Sequence, residues 1–219
     1  MAVDLSVRMN MQKEIWNGCF AHDNAMFGSE ASWAAQKTAE TLPISDGTVL
    51  LELGGGQGRD TLYFAQKGCS VTTVDYAPAG MERTAMLAQE SGLSVQTILH
   101  DLRQGLPLPD GSFDICYSHM LFCMAFTTEQ LKELCREIRR VLKPGGYCVY
   151  TARNTSDPHY GKGQNHGDGI FQKGALIIHY FDQAKIRILA EEGFELVSIE
   201  EFREAELPRI LSMVTMRKN

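Results

Sequence analysis

The sequence predicts a doubly wound α/β sheet of seven mostly parallel strands beneath an N-terminal helical cap. Three features carry that prediction. From about residue 48, short β-rich runs alternate with longer helical patterns; glycine or proline marks the ends of those patterns; and a glycine-rich turn joins the first apolar run to the first helix after it.

Residues 1–47 precede the first strand and read as helical in parts, notably Glu30–Leu42, with Trp16, Phe20, Phe27 and Trp33 spread through them as the packing face of a cap. Candidate strands follow at Thr48–Leu53, Ser70–Val74, Ser94–Leu99, Phe113–Ser118, Gly146–Ala152, Glu195–Glu201 and Ile210–Met216. Between them, Arg59–Lys67, Pro78–Ser91, Glu129–Val141 and Asp182–Glu191 space their apolar residues by three or four, as Leu131, Leu134, Ile138 and Leu142 do. Gly68, Gly92, Gly193 and the run Lys143-Pro144-Gly145-Gly146 stop the helical patterns, because neither residue type continues a helix cheaply. Residues Asn154–Gly174 are polar, glycine-rich and too long for an ordinary connector, which predicts a functional loop. The chain therefore divides into a cap (1–47), a core (48–152) and a segment that completes the sheet (153–219), all within one domain.

Composition narrows the function. A net charge of −6 offers no basic field for a nucleic-acid backbone or an anionic membrane surface. No apolar run is long enough to span a bilayer, and the start MAVDLSVRMNMQKEIW lacks the apolar core of a signal peptide, so a cytoplasmic protein without nucleic-acid or membrane partners is expected. Cys19, Cys69, Cys116, Cys123, Cys135 and Cys148 are scattered without a CxxC pair and read as reduced core thiols. His159, His166, Asp168 and His179 lack the spacing of a zinc site, and no metal is expected.

The run Leu51-Glu52-Leu53-Gly54-Gly55-Gly56-Gln57-Gly58-Arg59-Asp60 leaves an apolar strand and opens a helix, where a doubly wound sheet presents main-chain groups to a ligand. A dinucleotide fingerprint, G-x-G-x-x-G, fails in either register: Arg59 or Thr61 falls where the last glycine belongs, which disfavours a nicotinamide-dependent oxidoreductase. The pattern present is E-x-G-x-G-x-G, through Glu52, Gly54, Gly56 and Gly58. Asp75 then ends the second strand, placed to accept hydrogen bonds from two ribose hydroxyls, and Asp101 follows the third, placed for an adenine amine.

With LELGGGQGRD, VDYA, HDL, the FDICYS strand and LKPGG in this order, residues 48–152 resemble the class I methyltransferases that use S-adenosylmethionine (SAM) and release S-adenosylhomocysteine (SAH). The resemblance implies that Glu52 and Gly54 serve the methionine amino group and Asp75 the ribose. Tyr76 and Leu102 would flank the adenine, and Asp101 would take its amine. GRDTLYFAQKG and the MFG-x-E-x-S stretch are similar to small-molecule methyltransferases of the tellurite-resistance and thiopurine type, in which the N-terminal segment closes over the cofactor. The chain departs from them at Glu52 and Gly55-Gly56, where they commonly read Asp-Leu-Gly-Cys-Gly.

Methyl transfer is an in-line displacement that asks chiefly for proximity, with a base where the acceptor must lose a proton. The fourth strand ends in Tyr117-Ser118-His119-Met120-Leu121-Phe122 at the edge where the sulfonium would lie, and Ser118 is a further cofactor candidate. That strand end lacks the Asn-Pro-Pro-Tyr or Asp-Pro-Pro-Tyr of relatives that methylate adenine or glutamine amides, which leaves a small-molecule acceptor. His119 is either a general base or cofactor contact, or a hydrogen-bonded histidine at a strand end. The run from Arg153 to Gly163 is either a lid that brings Arg153, His159 and Tyr160 to the acceptor or a polar excursion with exposed histidines. A SAM-binding regulator without catalysis fits the same motifs.

Overall fold

The computed structural model describes residues 5–23, 25–204 and 208–219. The first four residues of the cap, Asn24 and residues 205–207 of the last segment lie outside the described set. Two helices, α1 (Leu5–His22) and α2 (Trp33–Thr41), precede β1 (Val49–Leu53), α3 (Arg59–Gln66), β2 (Ser70–Asp75), α4 (Pro78–Glu90), β3 (Val95–Leu99), β4 (Phe113–Ser118), α5 (Thr128–Val141) and β5 (Leu142–Arg153). After a small sheet of β6 (Gln164–Asn165), β7 (Ile170–Lys173) and β8 (Leu176–His179) come α6 (Gln183–Ala190), β9 (Phe194–Arg203) and β10 (Ile210–Lys218). The main sheet runs β3-β2-β1-β4-β5-β10-β9. Its first five strands pair in parallel, and β10 lies antiparallel between β5 and β9.

Side chains alternate across each strand, so neighbouring residues feed opposite cores. Leu51 and Leu53 of β1 join Cys116, Tyr150, Leu134 and Ile138 beneath α5 and α6. Leu50 points the other way, to Phe64, Ile115, Tyr117 and Val149 beneath α2 and α3. Glu52 shares the face of Leu50 and is thereby aimed at α3. The cysteines are free thiols; five are buried and Cys19 is half-buried.

Most expected elements stand, and the departures have local causes. The N-terminal helical stretch begins later than Glu30, because Ser32 caps α2 by accepting a hydrogen bond from the Ala35 N–H. Strand β5 starts at Leu142 rather than Gly146. It pairs with β4 directly after α5, and a register shift absorbs Pro144 and Gly145. The segment expected as a long functional loop instead holds the meander β6-β7-β8, whose turns fall on Gly167 (φ 81°) and Gly174 (φ 62°).

Helix α1 crosses the carboxyl edge of the main sheet. Asn17 Oδ1 accepts the Ala79 N–H at the start of α4, and Gln12 donates to the Ala175 carbonyl in the β7–β8 turn. The helix thus spans from the cofactor-side helices to the small sheet.

Candidate active site

The chain reverses direction across the sheet between β1 and β4, and a crevice opens there at the carboxyl ends of the strands. The glycine turn forms one wall. Gly56 (φ 53°) donates its N–H to Asp75 Oδ2 at 3.0 Å, and a Cβ on it would stand 3.1 Å from the Phe20 ring, so α1 packs on bare backbone. Gln57 of the same turn donates to the carbonyls of Phe20 and Asp23, which fastens the end of α1 over the crevice.

Of the residues singled out in the sequence, Glu52, Gly54, Gly56, Asp75, Tyr76, Leu102 and His119 all line this cavity. Glu52 is 3% exposed, and its hydrogen bond comes from Thr61. Burial, reinforced by the nearby Asp60 carboxylate, pushes its pKa from 4.5 up to about 8. Asp75 is raised by burial too, while the N–H groups of Ala77 (2.8 Å) and Gly56 pull it back. Two buried carboxyl groups facing a cavity call for a ligand rich in donors.

Five predicted site residues are not among the described residues lining the cavity. Gly58 instead packs the turn on α4, where a Cβ would meet Thr84 Oγ1 at 2.6 Å. Ser118 donates to the Leu53 carbonyl at 2.9 Å and clamps β4 to β1. His159 accepts a hydrogen bond from Arg153, and exposed Tyr160 packs edge-on against Phe171 and Tyr180. Asp101 is the fifth. Arg103 forks its carboxylate at 2.7 and 3.0 Å, holding its pKa below the usual range, and reaches on to Asn10 of α1. A carboxylate so engaged ties the cap to the β3 end.

The far half of the cavity was less legible. His119 Nδ1 lies 2.9 Å from Thr151 Oγ1 and its Nε2 lies 3.4 Å from Glu204 Oε1. The next residue, Met120, is turned to φ 67° with its N–H on the same Thr151 hydroxyl, a left-handed backbone that a non-glycine residue adopts only under constraint. Arg59, Arg153, Glu204 and Arg209 bring charge to the wall, and Trp16, Phe27, Met124 and Ile178 bring apolar surface. Glu204 and Arg209 gave no sequence signal, since only the β9–β10 hairpin carries them to the crevice. Arg153 was expected there, but it arrives held by Asp157 at 2.7 and 2.9 Å.

A glycine-turn crevice lies at the switch point of this sheet, with buried acids after β1 and β2, and the sheet has the fold of the class I, SAM-dependent methyltransferases. Residues 51–150 match the family model described as "Methyltransferase domain", and SAM is the cofactor this family implies.

An uncharacterized methyltransferase of Synechocystis sp. is 32% identical over 111 residues, covering 51% of this chain and 50% of that protein. The demethylmenaquinone methyltransferase of Tropheryma whipplei is 34% identical over 124 residues, covering 56% and 48%. The chain thus spans about half the length of these curated relatives. Among solved structures, the 1,6-didemethyltoxoflavin-N1-methyltransferase of Burkholderia thailandensis, with its substrate and SAH bound, superposes with a TM-score of 0.77 at 17% identity. It covers 100% of this chain and 92% of that one, a likeness of fold.

The residues present fit SAM. The Glu52 carboxyl, once ionised, suits an ammonium group, Asp75 suits a diol, and Gly54 leaves room where a Cβ would press on Leu121 at 3.0 Å.

Proposed function

We propose that this chain transfers the methyl group of SAM to a small-molecule acceptor. One observation carries the reading: a single cavity joins a cofactor-binding wall (Glu52, Gly54, Asp75, Tyr76, Leu102) to an apolar chamber with one histidine at the junction, His119. Glu52 binds the methionine ammonium, Asp75 the ribose hydroxyls, and Tyr76 and Leu102 enclose the adenine. When bound, SAM supplies an electrophilic methyl group on a sulfonium.

The protein's share is placement. Trp16, Phe20 and Phe27 roof the cavity and exclude water, which strengthens every polar contact beneath them. The strained Met120 turn sets the end of β4 beside the glycine turn, and the apolar chamber brings the acceptor to the methyl carbon. Thr151 at Nδ1 and Glu204 facing Nε2 hold the His119 ring at the edge of the chamber.

Calorimetry with SAM and SAH, followed by transfer of a labelled methyl group to a panel of thiols, amines, phenols and heteroaromatic acids, tests the reading. Binding with turnover on a panel member is expected. Absence of SAM binding would overturn it, and binding without turnover across the panel would favour a SAM-binding regulator.

A further inference from the structure

Glu204 is held in an unusual way. It sits at the end of β9 in the hairpin turn, closed by a hydrogen bond from its own N–H to the Arg209 carbonyl. Each carboxylate oxygen has one cationic or donor partner in the cavity: Oε1 faces His119 Nε2 at 3.4 Å and Oε2 faces Arg209 Nη1 at 3.3 Å. Those distances are long for charge-assisted hydrogen bonds, which settle near 2.7–2.9 Å. The neighbouring Arg153–Asp157 pair does reach 2.7 Å. Arg59 adds a further positive charge nearby, and together these groups hold the Glu204 carboxyl below its usual range despite its burial. The corner is therefore an anion-binding arrangement occupied by a loosely held side chain of the protein itself.

We propose that this corner is an anion subsite for the acceptor. A carboxylate or similar singly charged anion on the acceptor binds Arg209 and His119 in place of Glu204, with its apolar body along Met120, Met124 and Ile178. The inference rests on reading this half of the cavity as the acceptor chamber. Exchange of one carboxylate for another leaves the charge of the chamber unchanged, so the displacement trades one set of ionic contacts for another. A cationic acceptor at this corner would instead meet the Arg209 guanidinium, which disfavours it there.

The test titrates the full chain by calorimetry, with and without SAH, using three probes of one shape: 2-naphthoate, 2-naphthamide and 2-naphthylmethylammonium. Naphthoate is expected to bind about tenfold or more tighter than the amide, the scale of one good charge-assisted pair. Glu204→Gln should tighten naphthoate further, and Arg209→Gln should erase its advantage, with thermal unfolding of each variant reporting an intact fold. The proposal is overturned if the ammonium binds best, if the probes bind equally or not at all, or if the naphthoate preference survives Arg209→Gln. Loss of SAH binding alone would sink the cofactor reading and leave the probe comparison readable.

Discussion

At the cofactor end of the cavity, Glu52, Gly54, Gly56 and Asp75 come from one βαβ unit, and three of the main contacts are backbone turns or strand ends. At the acceptor end, His119, Arg153, Ile178, Glu204 and Arg209 come from separate strands and turns of two sheets. The first is a local device that works wherever β1, α3 and β2 fold. The second exists only once β8, β9 and β10 have docked, so it depends on braces far from the chemistry. One such brace is Lys185, whose buried ammonium contacts Thr128 Oγ1 (2.8 Å), Asp168 and His179 Nε2 (2.6 Å) and pins the small sheet to α5 and α6.

The strongest way to break this contrast is Asp75→Ala. It removes the ribose acceptor and unties the Gly56 N–H, and SAM affinity measured by calorimetry should fall by roughly 30- to 100-fold, as for hydrogen bonds to a charged group. Retention of micromolar binding would mean that the cofactor end is not local after all.

Next in size is Glu52→Gln. An ammonium ligand needs Glu52 ionised, so SAM affinity in the parent protein should rise from pH 6 toward pH 8, by up to about tenfold per unit. The variant should bind more weakly and show no such slope. Stability moves in the opposite sense. Because the folded carboxyl holds its proton to about pH 8 and the unfolded one only to about 4.5, the stability it contributes is present below about 4.5 and lost as pH rises through 8. Glu52→Gln should therefore raise the melting temperature at pH 8 relative to the parent and leave it nearly unchanged at pH 4.

Lys185→Met tests the remote brace. Stranding Asp168 and His179 should cost about 2 kcal/mol, or several degrees of melting temperature, with SAM affinity little altered. His179 itself is held neutral, its pKa pushed down to about 4 by burial and by the Lys185 charge. That depressed value makes its contribution full above pH 6.5 and lost as pH falls through 4, so His179→Gln should flatten the acid limb of a stability profile. The smallest effects belong to His159→Ala and Tyr160→Phe: both lie outside the cavity wall, and SAM affinity and turnover should change by less than about twofold.

The sequence determined the parts whose physics is local. Strand and helix alternation, the E-x-G-x-G-x-G turn and an acid at the end of β2 were all readable, because apolar periodicity and positive-φ glycines constrain their own neighbourhoods whatever the rest of the chain does. Local reading did not show which partners a side chain takes within the protein. Asp101 had the right position for an adenine amine, yet Arg103 two residues on takes its carboxylate. Ser118 turns to the Leu53 carbonyl, and Gly167, Gly169 and Gly174 serve the turns of a meander.

Only the tertiary structure decided the acceptor chamber. Glu204 and Arg209 meet His119 because β10 inserts between β5 and β9, and no spacing in the sequence encodes which strand end a hairpin will reach. The glycine turn of the proposed cofactor wall is written in consecutive residues, whereas the proposed acceptor chamber is assembled by packing over long separations, and packing is a property of the whole fold.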